Sequence, residues 1–529
     1  MNLKLQKSFS FLLICLLFLN CTSVEKYNYK ISQPISVEKL QKDINYTQHK
    51  LEKLYPNLYG YISKEKLDFK FDSIRKVVDK PMTSKEFYFV ISPVIASVRQ
   101  GHMTMSPVLK KVSKKDAKRY KSDGPISQFG FEYEKDKFYV IKNKSKKKNI
   151  QLGSEVISIN GITPQSIYQK YRKSVTSDGF NETYIRKGFT KRFSMYMTNE
   201  IGINDSLTYV FKKKDSLFTE VVSRNKVVSK VTSKTSEKTK DSIKIETKKP
   251  IDKAKLKLEK KRKNTYGYDY INKEYIKNLS YSISDTTTAI LRVKNFSDGK
   301  YTKAYESIFD SIKKHNIQNL IIDIRDNPGG RVADAVELLS YLHDKEYLVL
   351  QPAIVTSKTS LWKLGLFRNI PVIAYPFAAA FYPFYMGFTT LRTTKNADGN
   401  YQYKLVGSKI KKNAPNHFDG KVYVLINGGS FSASCILSAA LKSNPKVTFV
   451  GEETGGAFNG TVAGIMPIVK LPNSKIPLRL GLMDIRTINQ TETVGRGIFP
   501  DKEIAHTVED NINNRDPEID WILSDIKKK

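Results

Sequence analysis

The chain has 529 residues, which is too long for one ordinary core and predicts two to four domains; hydrophobic residues make up 40% of it. The net charge of +37 points first to nucleic acid or an anionic membrane surface, yet 19 of the basic residues stand in one segment, 212–263, against seven acidic ones. The other lysines are scattered, with no basic stripe interleaved with aromatic residues, so we expect no nucleic-acid binding.

The first residues, MNLKLQKSFSFLLICLLFLNC, have the layout of a secretory leader. Two lysines precede an apolar run, Phe9 to Leu19, that is too short to span a bilayer. The end of this segment resembles a bacterial lipobox, in which cleavage leaves a lipid-bearing cysteine, here Cys21, although Asn20 stands where a small residue is usual. We therefore expect a signal peptide at 1–20, a tether at 21–33, and a lipid-anchored protein of the cell envelope, on its periplasmic face or at the cell surface.

The chain has three cysteines, and Cys435 is the one that remains free once Cys15 leaves with the leader and Cys21 carries lipid. No intrachain disulfide is then expected in the mature chain. The six histidines show no spacing typical of metal ligands, so the sequence predicts no metal and no cofactor.

Residues 34–122 are predicted to form an N-terminal helical subdomain. In VEKLQKDINYTQHKLEKL the apolar residues recur at intervals of three and four, which is typical of an amphipathic helix. The later stretch TSKEFYFVISPVIASV begins with a Thr/Ser cap followed by Glu, which favours a second helix start.

Residues 123–212 change to short alternating strands, FGFEYEKDKFYVI and LGSEVISINGITPQSI. The second stretch resembles part of a PDZ domain. That resemblance places Phe129, Gly130 and Phe131 in the loop that holds a peptide carboxylate while the peptide adds a strand. The alternative is a structural β-module without a peptide grip.

Residues 213–263 are rich in Lys, Ser and Thr and are predicted to be a basic low-complexity linker. From 264 to 529 the pattern becomes α/β. Buried strands such as NLIIDI and KVYVLI alternate with amphipathic helices, which predicts βαβ units. Within this part, residues 351–415 are aromatic-rich, and they either line a cleft or form an amphipathic surface.

Three separate stretches share one resemblance: GGSFSASCIL, IIDIRDNPGG and SVRQGHMTM. Together they resemble the C-terminal-processing, or tail-specific, serine proteases, in the histidine-based branch similar to the tricorn core protease. The resemblance implies an α/β catalytic core of ClpP/crotonase-like βαβ units, with the N-terminal helical subdomain and the PDZ-like β-rich module attached. It implies polypeptide substrates and no cofactor.

The resemblance assigns the nucleophile to Ser432, the Ser-Ala-Ser serine at a predicted helix start. The positive end of a helix dipole suits that role, and the amide of Ala433 then becomes a donor to the oxyanion. A second donor is expected from the NPGG turn, at Gly329 or Gly330. Two rival serines stand beside the first, Ser430 and Ser434.

Many members of this family use a lysine about twenty-five residues after the serine, but no lysine lies between Lys446 and Lys470. The histidine branch uses a Gly-His-Thr-like stretch, and QGHMTM supplies His102 as general base. Read alone, His102 would be an ordinary core histidine. Glu492, shortly before GRGIFPD, is the candidate carboxylate that orients the imidazole. The histidines less favoured as base are His343, His417 and His506.

Cys435 replaces the glutamate of the family's Ser-Ala-Ser-Glu. This change fits a histidine-based site, and it also fits a protein that has lost catalysis. The predicted function is a serine endopeptidase that cleaves unfolded or C-terminally exposed polypeptides through an acyl-enzyme. The alternatives are a catalytically inactive peptide- or lipid-binding protein on the same fold, and an esterase or amidase that uses the same acyl chemistry.

Overall fold

The computed structural model describes residues 23–225, 253–362 and 374–528. The predicted leader and Cys21 lie outside these ranges, so the lipid anchor stays a prediction. Within the described ranges, none of the helices combines the length and the apolar character needed to cross a membrane.

The N-terminal region is helical, as the spacing of its apolar residues predicts. Its elements are α1 Val24–Ser32, α2 Val37–Leu54, α3 Lys64–Val77, α4 Ser84–Ala96, the short strand β1 Thr104–Met105, and α5 Lys114–Arg119. A capping box begins α4, because the Thr83 side chain and the Glu86 carboxylate each accept a backbone N–H from the other residue. The buried faces of α2, α3 and α4 belong to the same hydrophobic cluster as the central sheet, so these helices are part of the main core.

The next region is an antiparallel five-stranded sheet with its own aromatic core. Its elements are β2 Phe129–Glu134, β3 Lys137–Asn143, β4 Glu155–Ile159, α6 Pro164–Arg172, α7 Thr183–Ile201, β5 Ser206–Lys213 and β6 Ser216–Ser223, with the strands in sequence order across the sheet. The separate core contains Phe138, Phe193 and Tyr209. We call this region the β-module; its identity as a PDZ domain stays a prediction.

The predicted linker, 213–263, is too wide at both ends. A tight turn with Lys214 at φ 52° folds β6 back onto β5, and Val222 of β6 is buried in the β-module. The far end belongs to helix α8, Lys253–Tyr266, in which Lys263 and Glu259 form an i,i+4 ion pair at 2.6 Å. Composition predicted neither β6 nor α8. Strand β6 is ordered by pairing with β5, and α8 is ordered by contacts between successive helical turns. The middle of the linker lies outside the described residues.

The remaining elements form the α/β core. In chain order they are β7 Tyr268–Asp269, β8 Glu274–Tyr275, β9 Lys277–Tyr281, β10 Thr288–Val293, α9 Tyr301–Lys314, β11 Asn319–Asp323, α10 Val332–Ser340, β12 Ala353–Val355, α11 Tyr375–Arg392, β13 Thr393–Lys395, β14 Tyr401–Tyr403, β15 Lys421–Ile426, α12 Ala433–Leu441, β16 Val447–Gly451, β17 Gly460–Ala463, β18 Ile468–Lys470, β19 Pro477–Arg479, β20 Met483–Arg486, β21 Lys502–Glu503, α13 Val508–Asn513 and α14 Pro517–Lys527.

The central sheet has the strand order β21-β16-β15-β11-β10-β9, and every neighbouring pair except β10-β9 is parallel. Its inner strands are almost continuously apolar, as expected for parallel strands covered on both faces. Because β11 and β15 are parallel neighbours, the turns that follow them lie at the same edge of the sheet. One turn contains Gly329 and Gly330, and the other contains Ser432.

Two smaller sheets surround this one. The first has the order β13-β14-β12-β20-β17, and the second has the order β1-β19-β18. In the second sheet, the N-terminal strand β1 pairs with β19 from the C-terminal part, with Thr104 opposite Arg479. This pairing brings the loop between α4 and β1, which contains His102, to the core.

Candidate active site

Ser432 lies in a sharp turn between β15 and α12. Its backbone has φ 59° and ψ −116°, a left-handed conformation that costs a non-glycine residue about 1–3 kcal/mol. Gly428 and Gly429 allow the turn to pass close to the backbone of Thr183 and Asp326. A Cβ on Gly428 would lie 2.5 Å from the Thr183 carbonyl oxygen. Strained turns of this kind, between a strand and a helix, expose a serine hydroxyl at the edge of the sheet.

The rival serines are used as structural donors. Ser430 is fully buried, and its hydroxyl donates to the carbonyl of Ile324 at 2.8 Å. Ser434 is also fully buried, and its hydroxyl donates to the carbonyl of Asn327 at 2.9 Å. Both bonds tie the Ser432 turn to the turn after β11, whereas the Ser432 side chain caps no helix amide. Of the three serines, Ser432 is the one that is partly accessible.

His102 meets Ser432 although 330 positions separate them in sequence. Its Nε2 lies 3.0 Å from the Ser432 Oγ, and its ring packs against Phe431 with 4.8 Å between ring centroids. In the tautomer protonated at Nδ1, Nε2 accepts the Ser432 hydroxyl proton. The structure therefore brings the two leading candidates to hydrogen-bond distance.

The pKa of His102 is lowered to about 4. Burial is the main cause, because it disfavours the charged imidazolium, and the positive charge of Arg479 adds to it. The imidazole is then neutral at pH 7 and ready to accept a proton.

The loop around His102 is held by contacts from distant parts of the chain. The amide of Gly101 donates to Asp178 Oδ1 at 2.7 Å, and the hydroxyl of Thr176 donates to the carbonyl of Met103 at 2.6 Å. Thr461 in β17 also donates to Asp178 Oδ1, at 3.2 Å. Asp178 thus links the His102 loop to the core.

Asp178 was missed by sequence reasoning. Its carboxylate is buried, which raises its pKa to about 6, and its Oδ2 has no hydrogen-bond partner within the described part of the chain. It stands in the stretch TSDGFN, which matches no catalytic motif, so only the folded structure identifies it. It accepts a hydrogen bond from the residue before His102, and none of the hydrogen bonds among the described residues joins it to the imidazole ring.

Glu492, the predicted orienting carboxylate, is exposed on a surface loop. In the ranges that the structure describes, no hydrogen bond or ion pair joins it to His102. Glu492 was chosen because it stands shortly before GRGIFPD. The direction of its side chain depends on the conformation of the loop, which tertiary contacts determine.

Among the described residues, the backbone amides of Ala433 and Gly330, both near Ser432, donate no hydrogen bond. Ala433 is the first residue of α12, where amides have no partner within the helix. The Gly329 amide is already engaged, because it donates to Asn327 Oδ1 at 2.9 Å. Of the two predicted glycine donors, Gly330 is therefore the one whose amide is available.

Gly329 has a different role, in close packing. It adopts φ 91°, and a Cβ there would lie 2.8 Å from the Ala433 nitrogen and 2.7 Å from the Phe431 carbonyl oxygen. Only glycine lets the turn after β11 approach the Ser432 turn this closely.

Cys435 is a buried thiol on α12. Its sulfur lies 3.4 Å from the carbonyl oxygen of Ser430, and burial raises the pKa of the thiol to about 12. A thiol with this pKa is protonated at neutral pH and is a poor nucleophile. It also fills the space next to Gly456, where a Cβ would lie 2.8 Å from the sulfur.

The predicted peptide-binding residues lie in β2, an edge strand of the β-module. The side chains of Phe129 and Phe131 are buried in the aromatic core, where Phe131 stacks on Phe138 with 4.8 Å between centroids. Any contact of these residues with a peptide would therefore use the backbone of β2, with Gly130 between the two buried rings.

A cavity of about 650 Å³ separates the β-module from the α/β core beside the Ser432 turn. Glu132 from β2, Lys187 from α7, and Asp326 and Asn427 from the two turns contribute to its lining. Burial opposes the charge of Lys187, but the carboxylates of Glu132, Asp326 and Glu452 raise its pKa overall. The cavity is polar and opens between the two regions.

One group has the composition of a metal site: His506, Asp516 and Glu518, whose ligand atoms lie within 4.8 Å of one another. The guanidinium of Arg325 already donates to both Asp516 oxygens, at 3.0 and 2.8 Å. Burial opposes protonation of His506, but its bonds to Asp516 and Glu518 raise its pKa to about 9. Without a metal, the group forms an ion-pair cluster with Arg325, and a metal would have to displace the imidazole proton before His506 could ligate it.

Comparisons with known proteins agree with this architecture. Residues 287–504 match the model of peptidase family S41; the match contains Ser432 and Gly330 but not His102. The solved structure of mature CPAF complexed with lactacystin superposes with a TM-score of 0.58 at 14% identity and covers 93% of this chain and 98% of that chain. A second structure, of mature CPAF, gives 0.56 at 14% identity, covering 92% and 96%. At this identity the likeness shows a shared fold. No curated protein matches the chain.

Proposed function

We propose that this protein is a serine peptidase of the S41 type that cleaves polypeptides through an acyl-enzyme on Ser432, with His102 as general base. The observation that carries this proposal is the 3.0 Å contact between His102 Nε2 and Ser432 Oγ. This contact joins Ser432, which lies inside the residues that match the family model, to His102, which lies far outside them. The family match and the shared fold support the same reaction class.

In the proposed reaction, His102 takes the hydroxyl proton while Ser432 Oγ attacks the scissile carbonyl carbon. The carbonyl oxygen becomes an oxyanion, which accepts hydrogen bonds from the amides of Ala433 and Gly330. His102 then gives its proton to the leaving amine, and the C–N bond breaks to form the acyl-enzyme. Water, deprotonated by the same imidazole, releases the acyl group and restores the Ser432 hydroxyl. No cofactor takes part.

The lowered pKa of His102 has a clear catalytic consequence. The neutral imidazole is available over a wide pH range, but the imidazolium formed during attack is poorly stabilised, because the site is buried and Arg479 is nearby. We infer that the developing oxyanion offsets this cost, since its negative charge forms close to the imidazolium. The basicity of His102 would then rise as the oxyanion forms.

We propose unfolded or C-terminally exposed polypeptides as substrates. The cavity between the β-module and the core reaches Asn427 at the start of the Ser432 turn. Among the described strands β2 pairs with β3 alone, which leaves an edge to which an extended peptide can add a strand. The proposed location is the cell envelope, with the chain anchored through Cys21.

The test is turnover of an unfolded protein by the purified chain of residues 22–529, compared with Ser432→Ala and His102→Ala. A fluorophosphonate, which labels activated serine hydroxyls, identifies the nucleophile when the modified peptide is mapped by mass spectrometry. We expect label on Ser432 and loss of turnover in both variants. Both variants should still unfold in a cooperative thermal transition, as the unaltered chain does. Label on Ser430 or Ser434 would contradict the assignment, and turnover of esters without turnover of proteins would favour an esterase.

A second candidate is a peptide-binding protein without catalysis. It is favoured by the absence, among the described residues, of a carboxylate bonded to the His102 ring, and by Cys435 in place of the family glutamate. In that case neither turnover nor fluorophosphonate labelling occurs, while peptides with a free C-terminus still bind the β-module.

A further inference from the structure

Helix α11 presents its largest apolar side chains to solvent. Phe377, Phe381, Phe384, Phe388 and Leu391 are 79%, 65%, 74%, 53% and 85% exposed. Their spacing of four, three, four and three residues puts all five on one stripe of the helix. Exposed apolar patches of this size on folded proteins mark interaction surfaces. We call these five residues the α11 stripe.

The opposite face of α11 is fixed to the body by polar contacts. The hydroxyls of Tyr382 and Tyr385 donate to the carbonyls of Trp362 and Leu361, and Trp362 Nε1 donates to Thr390 Oγ1 at 2.9 Å. An ordinary surface helix turns its apolar face inward and its polar face to water, whereas α11 does the reverse. These contacts hold the helix in an orientation that directs the stripe outward.

Positive charge stands at the C-terminal end of the stripe and is frequent in the sequence around it. No charged residue occurs in α11 before Arg392, whose guanidinium lies 5.2 Å from the centre of the Phe388 ring. Ranges 353–362 and 374–412 together contain seven Lys and Arg and one Asp. The exposed members include Lys395 and Lys404. An apolar stripe in a segment this rich in cations is the pattern of helices that lie in the interface of an anionic bilayer.

We propose that the α11 stripe docks on the surface of an anionic lipid bilayer, with the helix lying in the interface and the neighbouring cations on the headgroups. The helix lies on the membrane and does not cross it, because it does not combine the length and the apolar character needed to span one. This inference is independent of the proposed peptidase activity.

A second copy of the chain is the main rival occupant. Pairing two stripes would bury the phenyl rings equally well, but it would also bring two like-charged patches together, which is unfavourable. An anionic lipid surface buries the same rings and attracts the same cations. Charge complementarity therefore favours lipid over self-association.

The test uses the chain of residues 22–529, which keeps every described residue and lacks both the apolar leader and Cys21. Sedimentation with vesicles of phosphatidylglycerol and phosphatidylcholine is compared with pure phosphatidylcholine. We expect binding to the anionic vesicles, and we expect this binding to weaken as the salt concentration rises. Phe384→Ser should weaken binding about fivefold, and adding Phe381→Ser should weaken it further.

Phe69→Ser is the matched control, because Phe69 is 72% exposed but lies on α3. It should bind vesicles like the unaltered chain. Equal losses in Phe69→Ser and Phe384→Ser, equal binding to neutral vesicles, or no binding at all would each overturn the proposal. A concentration-dependent dimer that Phe384→Ser abolishes, without vesicle binding, would assign the stripe to a second copy.

Discussion

Ser432 and His102 meet at 3.0 Å, but the backbone around each is held in a different way. The Ser432 turn is built within one strand–turn–helix unit and is tied to the neighbouring turn by Ser430 and Ser434. The His102 loop depends on segments far away in sequence: Asp178, Thr176 and strand β19. The serine is therefore positioned by local geometry, and the histidine is positioned by tertiary packing.

Substitutions on the two sides of the site should therefore lower activity in different ways. Changes in the Ser432 turn should act on chemistry directly, because the turn contains the reacting oxygen and a candidate oxyanion donor. Changes around His102 should act through the position of the imidazole or through the electrostatics of its buried surroundings.

The largest effect should come from Ser432→Ala, which removes the proposed nucleophile. We expect proteolysis to fall by about 10⁴-fold or more, as when a nucleophilic serine is deleted elsewhere. Single-turnover assays measure the loss. Ser432→Gly is the companion variant: it should be equally inactive but more stable by about 1 kcal/mol, because glycine relieves the strained φ. An equal melting temperature for the Ala and Gly variants would argue against that strain.

Gly329→Ala tests whether the two turns must touch. The new Cβ would lie within 2.8 Å of backbone atoms of Phe431 and Ala433, at a φ of 91°. We expect about 2–3 kcal/mol less stability and about a hundredfold lower kcat with little change in KM. Gly399, at φ 80° with open space around it, is the control; Gly399→Ala should reduce stability modestly and leave kcat unchanged.

The pH profile tests the buried environment of His102. Because its pKa is about 4, the imidazole stays neutral down to pH 5.5, and kcat/KM should change less than about twofold between pH 7.5 and 5.5. A histidine of ordinary pKa would lose about tenfold over this interval. A tenfold loss with the ordinary midpoint would show that His102 is solvated in the working enzyme.

Asp178→Asn should give the smallest change in activity and an increase in stability at neutral pH. Burial raises the Asp178 pKa to about 6, so the folded state holds its proton more tightly than the unfolded chain. Its contribution is favourable at low pH and is lost as pH rises through 6, where an uncharged amide becomes the better residue. We expect a gain of at most about 3 kcal/mol at pH 8 and almost none at pH 3.5, measured by denaturant unfolding.

The amide oxygen that Asp178→Asn introduces still accepts the Gly101 N–H, so proteolysis in this variant should stay within about threefold of the unaltered chain. Asp178→Ala removes that acceptor and should lower kcat by about tenfold or more. If both substitutions lower kcat equally, the negative charge rather than the hydrogen bond positions the loop.

The sequence predicted what local rules determine. The Ser432 turn, the parallel strands before it and the free amide of Ala433 follow from an apolar run, two glycines and a helix start. The choice of Gly330 over Gly329 did not follow, because the side chain of Asn327 decides it. The carboxylates Glu492 and Asp178 differ in the opposite sense: Glu492 stands near, but not at, the expected position and is exposed to solvent, whereas Asp178 belongs to no motif and supports the His102 loop.

The pairing of β1 with β19 also has a consequence for synthesis. A nascent chain contains His102 early, but strand β19 is not completed until residue 479 has been made. Once residue 441 has been made, the emerging polypeptide contains the whole serine turn and the helix after it, but it still lacks the strand that seats the histidine. Any hydrolytic activity would therefore arise late, after nearly all of the chain has left the ribosome or the translocation channel, when few unfolded stretches of its own sequence remain to be cut.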